Sequence, residues 1–162
     1  MRMDQDSIYH PSVSLRFRKD KKQLTAIKNN EGLSMAPFWD SFHKLDMQFE
    51  ELRWKQGDPL VKISNLQGSA QTKTTFESYN YFKEIRYKAM LGTDAVHPLS
   101  RLRDYNKVAG DVFLAGDFAQ YTKLQKPQVI PMMFDMAVRR YIDYDPETEL
   151  VHVLPRLVEH TM

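Results

Sequence analysis

The sequence predicts an α+β fold, and three observations carry that prediction. Apolar and polar residues alternate with period two over residues 12–66. Apolar residues recur every three or four positions over 72–108. The two periods then meet over 112–158 in the order strand, helix, helix, hairpin. The expected divisions are antiparallel β-hairpins over 1–68, a helical connector over 69–111 and a C-terminal module over 112–162.

The hairpins are justified in chain order. Val13, Leu15 and Phe17 alternate with Ser14, Arg16 and Arg18, as in a half-buried strand. Asp20-Lys21-Lys22 is a polar turn, Gln23–Lys28 the return strand, and Asn29-Asn30-Glu31-Gly32 a loop. Leu45, Met47 and Phe49 continue the alternation. The phase slips at Glu50-Glu51 before Leu52 and Trp54 resume it, which reads as a β-bulge. Gln56-Gly57-Asp58-Pro59 turns the chain, and Leu60–Leu66 returns with Val61 and Ile63 on one face. Residues 12–66 are therefore expected to form two hairpins of one small sheet, which needs a cover for its apolar face.

Past Gln67-Gly68-Ser69 the period changes. Phe76, Tyr79, Phe82, Ile85, Ala89 and Met90 form one stripe of an expected helix from Thr72 to Met90, ended by Gly92. Asp94 is the expected cap of a second helix. That helix spans His97–Val108 and carries Leu99, Leu102, Tyr105 and Val108, with His97 before Pro98 marking its start rather than a ligand.

Val112-Phe113-Leu114 is a short strand. A helix from Gly116 to Leu124 buries Phe118 and Ala119, and Gln125-Lys126 is a tight turn. Pro127 opens the next helix, where its missing N–H needs no partner. That helix runs to about Tyr141 with Ile130, Met133, Phe134, Ala137, Val138 and Tyr141 on one stripe. Ile142–Asp145 and Leu150–Val153 form a hairpin turning at Pro146–Glu149, and Leu157 and Val158 begin a short terminal helix.

This order and spacing over residues 112–158 resembles the winged-helix superfamily. The departure is Ala115-Gly116, where that superfamily usually has Ser or Thr capping its helix, a task left to Asp117. The arrangement also resembles internal segments of large uncharacterised bacterial envelope proteins, which implies a fragment of a larger parent and no activity. A cell-envelope location follows only if that parent is secreted.

Composition removes several function classes. The chain has 162 residues, 42% of them hydrophobic, and no cysteine, so disulfides, thiolate metal sites and thiol catalysis are out. The longest apolar run, Val129 to Phe134, is too short to cross a bilayer, so no membrane insertion is expected. The five histidines are scattered and none has an i,i+4 partner of the HExxH kind. There is no phosphate-binding glycine loop and no nucleophile elbow. No cofactor, metal or catalytic residue is expected, and the chain reads as non-catalytic. Asp143-Tyr144-Asp145 reads as a solvated wing turn in preference to a cation site.

The winged-helix resemblance implies duplex DNA as a partner, and the charges argue against it. Base-reading side chains come from the first half of the recognition helix. Here that half offers Gln128, Pro131, Met132 and Asp135. The wing carries Asp143, Asp145, Glu147 and Glu149, and residues 112–162 hold five Lys/Arg against seven Asp/Glu. The expectation is protein contact, with other parts of the parent chain among the partners, through Trp39, Tyr81, Tyr87 and Met132. The alternative, a nucleic-acid-binding regulator, would use Arg139, Arg140, Lys21 and Lys22. The basic cluster Arg16, Arg18, Lys19, Lys21, Lys22 is read as guarding a strand edge against unwanted pairing.

Overall fold

A computed structural model of the chain describes residues 2–3, 5–69, 73–92 and 94–161. The fold is α+β and divides into two compact units, Met1–Tyr79 and Asn80–Met162. None of the described helices is long and apolar enough to cross a membrane.

The first unit runs β1 (Arg2–Met3), β2 (Asp6–Tyr9), β3 (Ser14–Arg18), β4 (Gln23–Ile27), a 3-10 turn (Gly32–Met35), β5 (Phe38–Asp40), β6 (Leu45–Gln48), β7 (Glu51–Lys55), β8 (Val61–Ser64) and β9 (Thr75–Ser78). The two expected hairpins, β3–β4 and β7–β8, join in one antiparallel sheet of order β3-β4-β7-β8. A second sheet, β1-β2-β5-β6-β9, supplies the cover that the first requires. Ala26 and Leu52 from one sheet, Phe38 and Met47 from the other, and Phe49 between them form a single buried cluster. The β7–β8 turn needs Gly57, whose φ of +85° suits a residue without Cβ. Asp58 N–H donates to the Lys55 carbonyl at 2.9 Å, and the Trp54 indole donates to the Asp58 carbonyl at 2.9 Å.

The phase slip at Glu50-Glu51 is not a bulge within one strand. It is the point where the chain leaves β6 in one sheet and enters β7 in the other. The two sheets face a shared core from opposite sides, so the inward parity must change when the chain crosses. Phe49 is fully buried, stacked on Phe38 at 4.3 Å between centroids. Glu50 keeps both backbone groups in use: its N–H donates to the Ser64 carbonyl at 3.2 Å and its carbonyl accepts from Lys28 N–H at 2.8 Å. Both carboxylates at the crossing are buried and satisfied. Glu50 accepts Leu66 N–H at 2.7 Å, and Glu51 takes Arg53 at 2.8 Å and the Ser64 hydroxyl at 3.0 Å.

The helix expected over 72–90 starts later than expected, with Gly92 its C-cap as expected; its expected first residue, Thr72, lies outside the described residues. Thr75–Ser78 is a strand, paired with β6 through Met47↔Phe76 and Asp46↔Glu77. A β-branched and an aromatic residue suit a strand, and the open edge of β6 decides the competition. Helix begins only at α1 (Glu84–Leu91), which buries none of its residues. Ile85, set in the expected core stripe, is 79% exposed, and Phe76 and Phe82 are exposed too. Two elements of different period had merged into one apparent stripe.

The second unit continues with α2 (Pro98–Ala109), β10 (Val112–Leu114), α3 (Ala115–Thr122), α4 (Lys126–Val138), β11 (Ile142–Tyr144), β12 (Leu150–Val153) and α5 (Arg156–Thr161). Its sheet has the order β10-β12-β11, with Phe113, Val151 and Tyr144 in one row. Leu99, Leu102, Ala115, Phe118, Val129, Met133, Met136, Ile142, Val151 and Leu157 are its fully buried core.

Three local assignments change. The cap of α2 is His97, not Asp94: its Nδ1 accepts Leu99 N–H at 3.1 Å while its ring stacks on Tyr87 at 3.7 Å. At the start of α3, Asp117 does not cap; the β11–β12 turn does part of that work, as Ala115 N–H donates to the Glu149 carbonyl at 3.0 Å. This explains how Ala115-Gly116 can stand where a capping side chain is usual. Helix α4 ends at Val138 rather than Tyr141, because Arg140 takes φ +63° and reverses the chain into β11. The buried stripe of α4 is Val129, Met133, Met136 and Ala137, so Ile130, Phe134 and Val138 lie at its half-buried margin.

Two predictions follow from this packing. Phe118→Ala should cost about 3–5 kcal/mol in urea unfolding of the second unit, and Phe134→Ala clearly less, since Phe118 is fully buried and Phe134 is half-buried, edge-on to Tyr144 at 5.4 Å. Equal losses would reverse the assignment of the α4 face. The other concerns Lys28, whose Nζ donates to Gln48 Oε1 at 2.8 Å. Burial pushes its pKa down from 10.5 to about 8, against the opposing pull of Glu50. Between those values the unfolded chain still holds a proton that the folded chain has released, so stability should rise with pH across that interval. Urea midpoints at pH 7.5 and 9.5, read by fluorescence of Trp39 and Trp54, should increase, on the order of 1 kcal/mol. Lys28→Met should flatten the rise.

Candidate functional site

Three surfaces could meet a partner: α4 with the β11–β12 hairpin, the outer face of the β3-β4-β7-β8 sheet, and a cleft in the first unit.

On the first surface, cations are consumed locally. Lys126 pairs with Glu149 at 2.6 Å, Arg139 with Asp135 at 2.9 Å, and Arg140 with Asp143 at 2.9 Å. Arg140 is buried, and the Arg139 carbonyl accepts from Arg156 at 2.9 Å. Arg139 and Arg140, the residues named for nucleic-acid contact, thus close the C-terminal end of α4. In the β11–β12 turn Asp145 is committed as well. Asp145 accepts Glu147 N–H at 2.9 Å and the Thr148 hydroxyl at 2.7 Å, bonds that hold its carboxyl below the ordinary range, the Thr148 hydroxyl foremost. Among the described residues no group of three His, Asp or Glu is placed to hold a metal ion.

Of the expected protein-contact residues, Trp39 belongs to the first unit and Tyr81, Tyr87 and Met132 to the second. Trp39 lies half-buried in β5, tilted against Tyr79 at 4.9 Å. Tyr87 is half-buried, stacked on His97, with its carbonyl 2.7 Å from His97 Nε2. It is used inside the second unit instead of facing out, because the α2 cap requires it. Met132 is half-buried on α4. Tyr81 is exposed, with Lys83 Nζ 5.2 Å above its ring.

The sheet face shows what sequence reading missed. Register places Arg16, Thr25, Arg53 and Lys62 directly opposite one another across four strands. The adjoining row on that face is Arg18, Gln23 and Lys55. Side chains directly opposite in an antiparallel sheet share a face. Five exposed cations therefore project from one side, with Lys21 and Lys22 exposed at the β3–β4 turn beside Lys55. Only Glu51, on Arg53 at 2.8 Å, and Asp20, 3.8 Å from Arg18, answer them among the described ion pairs. The signal was present as Arg53, Lys55 and Lys62 at alternate positions, but it needed the strand register to become a surface. The hairpin cluster singled out from sequence is one corner of it.

The cleft has a volume of about 550 Å³. Ile8, Met47, Leu52, Val61 and Ile63 form its apolar wall, and the Asp40–His43 pair, 2.7 Å apart, sits among its polar lining. Asp40 also accepts Phe42 N–H at 3.0 Å, which fixes the β5–β6 turn. This geometry positions a turn.

Comparison with protein-family models, with curated proteins and with solved structures finds no match. One prediction tests the closure of α4. Arg140→Ala should destabilise the second unit by about 1–3 kcal/mol, because it removes a buried charged hydrogen bond. A shift below about 0.5 kcal/mol in urea unfolding would show the Arg140–Asp143 contact to be idle.

Proposed function

We propose that this chain is a non-catalytic structural and protein-interaction module whose second unit is winged-helix-like and is not a reader of duplex DNA. The element order β10, α3, α4, β11, β12, and the sheet order β10-β12-β11, support the winged-helix reading. The observation that carries the functional reading is the pairing of Lys126, Arg139 and Arg140 with Glu149, Asp135 and Asp143. Phosphate binding draws its affinity from cations free to displace condensed counterions. A recognition helix whose flanking cations already hold carboxylates has little to offer a phosphate backbone. The half of α4 that would approach base edges presents Gln128, Pro131 and Met132, which suit contact with another protein surface better than a polyanion.

The experiment is a fluorescence anisotropy titration of the full chain on mixed-sequence duplex DNA at low salt and at about 0.15 M salt. The expected result is no saturable binding at micromolar protein at the higher salt. Micromolar binding that weakens steeply with salt, and falls in Arg139→Ala or in Lys21→Ala/Lys22→Ala, would overturn the protein-contact reading in favour of a nucleic-acid-binding regulator.

A further inference from the structure

Strand β3 lies at the edge of its sheet, paired only with β4. All five of its residues are exposed. Among the described residues no backbone hydrogen bond reaches its outer side. Alternate residues of an edge strand turn N–H and C=O outward, ready to pair with another chain. The two faces of β3 differ sharply. Arg16 and Arg18 stand on the basic face. Leu15 and Phe17 stand on the other, in the rows of Ala26 and Leu52 and of Leu24 and Trp54. Ala26 and Leu52 are buried, yet Leu15 is 68% exposed and Phe17 53%. The apolar face therefore continues past the cover that the second sheet supplies.

We propose that the free edge of β3 takes up, as one further strand, an extended partner segment in which acidic side chains alternate with apolar ones. This rests on the reading of the chain as a protein-interaction module and names the partner's chemistry. Backbone pairing holds the segment, and alternation decides which segment fits. Acidic residues opposite Arg16 and Arg18 meet opposite charge, while the apolar residues between them cover Leu15 and Phe17. A nucleic acid or other polyanion would use the cations but neither the backbone edge nor Leu15 and Phe17. A second copy of β3 fits worse. Antiparallel self-pairing centred on Arg16 or on Phe17 sets arginine against arginine.

The test titrates the full chain into a fluorescein-labelled peptide of about eight residues alternating Glu and Val, at about 0.15 M salt. Saturable binding is expected. It should weaken about tenfold or more when a proline replaces a central residue of the peptide, and likewise in Arg16→Glu/Arg18→Glu. The double variant should gain binding to an alternating Lys-Val peptide, a reversal that a misfolded protein cannot produce. Leu15→Ser/Phe17→Ser, which keeps every charge, should also weaken binding of the Glu-Val peptide. Absence of saturable binding to that peptide overturns the inference. So does equal binding of the proline peptide or of oligothymidylate, since either would mark a polyanion surface. Failure here with a flat duplex titration refutes the named partner chemistry alone; duplex binding of the kind described above would refute the broader reading.

Discussion

The crossing at Phe49 and Glu50 is the constraint on which the first unit depends. A single chain segment contributes β6 to one sheet and β7 to the other, so the two sheets are joined covalently at the point where their cores meet. Phe49 fills that point against Phe38, and the Glu50 backbone ties the segment to Lys28 and Ser64. Because the parity of inward residues changes there, Leu52 and Trp54 turn inward while Arg53 and Lys55 turn out. Without the extra residue the alternation of β6 would carry into β7 and set Arg53 toward the core, where an unpaired guanidinium is strongly disfavoured. The basic face is thus a consequence of the same step that closes the core.

Charge is handled differently by the two units. Asn80–Met162 holds eleven Lys/Arg and eleven Asp/Glu, and its cations along α4 are matched with carboxylates nearby. Met1–Tyr79 holds twelve against ten, a small excess. Two of its acids, Glu50 and Glu51, are buried at the crossing, and Asp46 is buried in β6. Glu50 holds a backbone donor and Glu51 holds Arg53 and the Ser64 hydroxyl, while the cations of the outer sheet remain in solvent. A net charge near zero consequently conceals a one-sided surface, which is why whole-chain arithmetic gave no hint of a partner.

Much of the architecture could be read from residue patterns, and the failures have physical causes. The hairpins β3–β4 and β7–β8 were legible because Leu15/Phe17 and Val61/Ile63 alternate cleanly between turns rich in Lys, Asp and Gly. The order of β10, α3, α4, β11 and β12 was legible because the period switches at Ile142. The sheet built from β1, β2, β5, β6 and β9 was not, because its strands are short and β5 offers only Phe38, Trp39 and Asp40. The strand at Thr75–Ser78 was lost for a related reason: its fate depends on the distant edge of β6, which no local period reports. Tyr87 looked like a contact residue because it lies off the apparent stripe. Its stack on His97 is a tertiary contact between residues ten positions apart, invisible to helical phase.

Edge strands explain why attention falls on β3 and not on another margin. Native sheets blunt their edges by keeping them short, proline-flanked or charged. Strand β1 has two residues, β10 and β11 have three each, and Pro59 sits close before the four residues of β8. The β9 edge has four residues, with Phe76 and Ser78 separated by Glu77. Strand β3 is the longest edge, with five exposed residues and no proline among them, and its only guard is charge. Shortness and proline disfavour every partner alike, by removing backbone donors or the length needed to pair. Charge is selective: Arg16 and Arg18 repel a strand of like sign and favour one of opposite sign. An edge guarded by charge alone therefore disfavours the registers that set arginine against arginine and stays open to a complement.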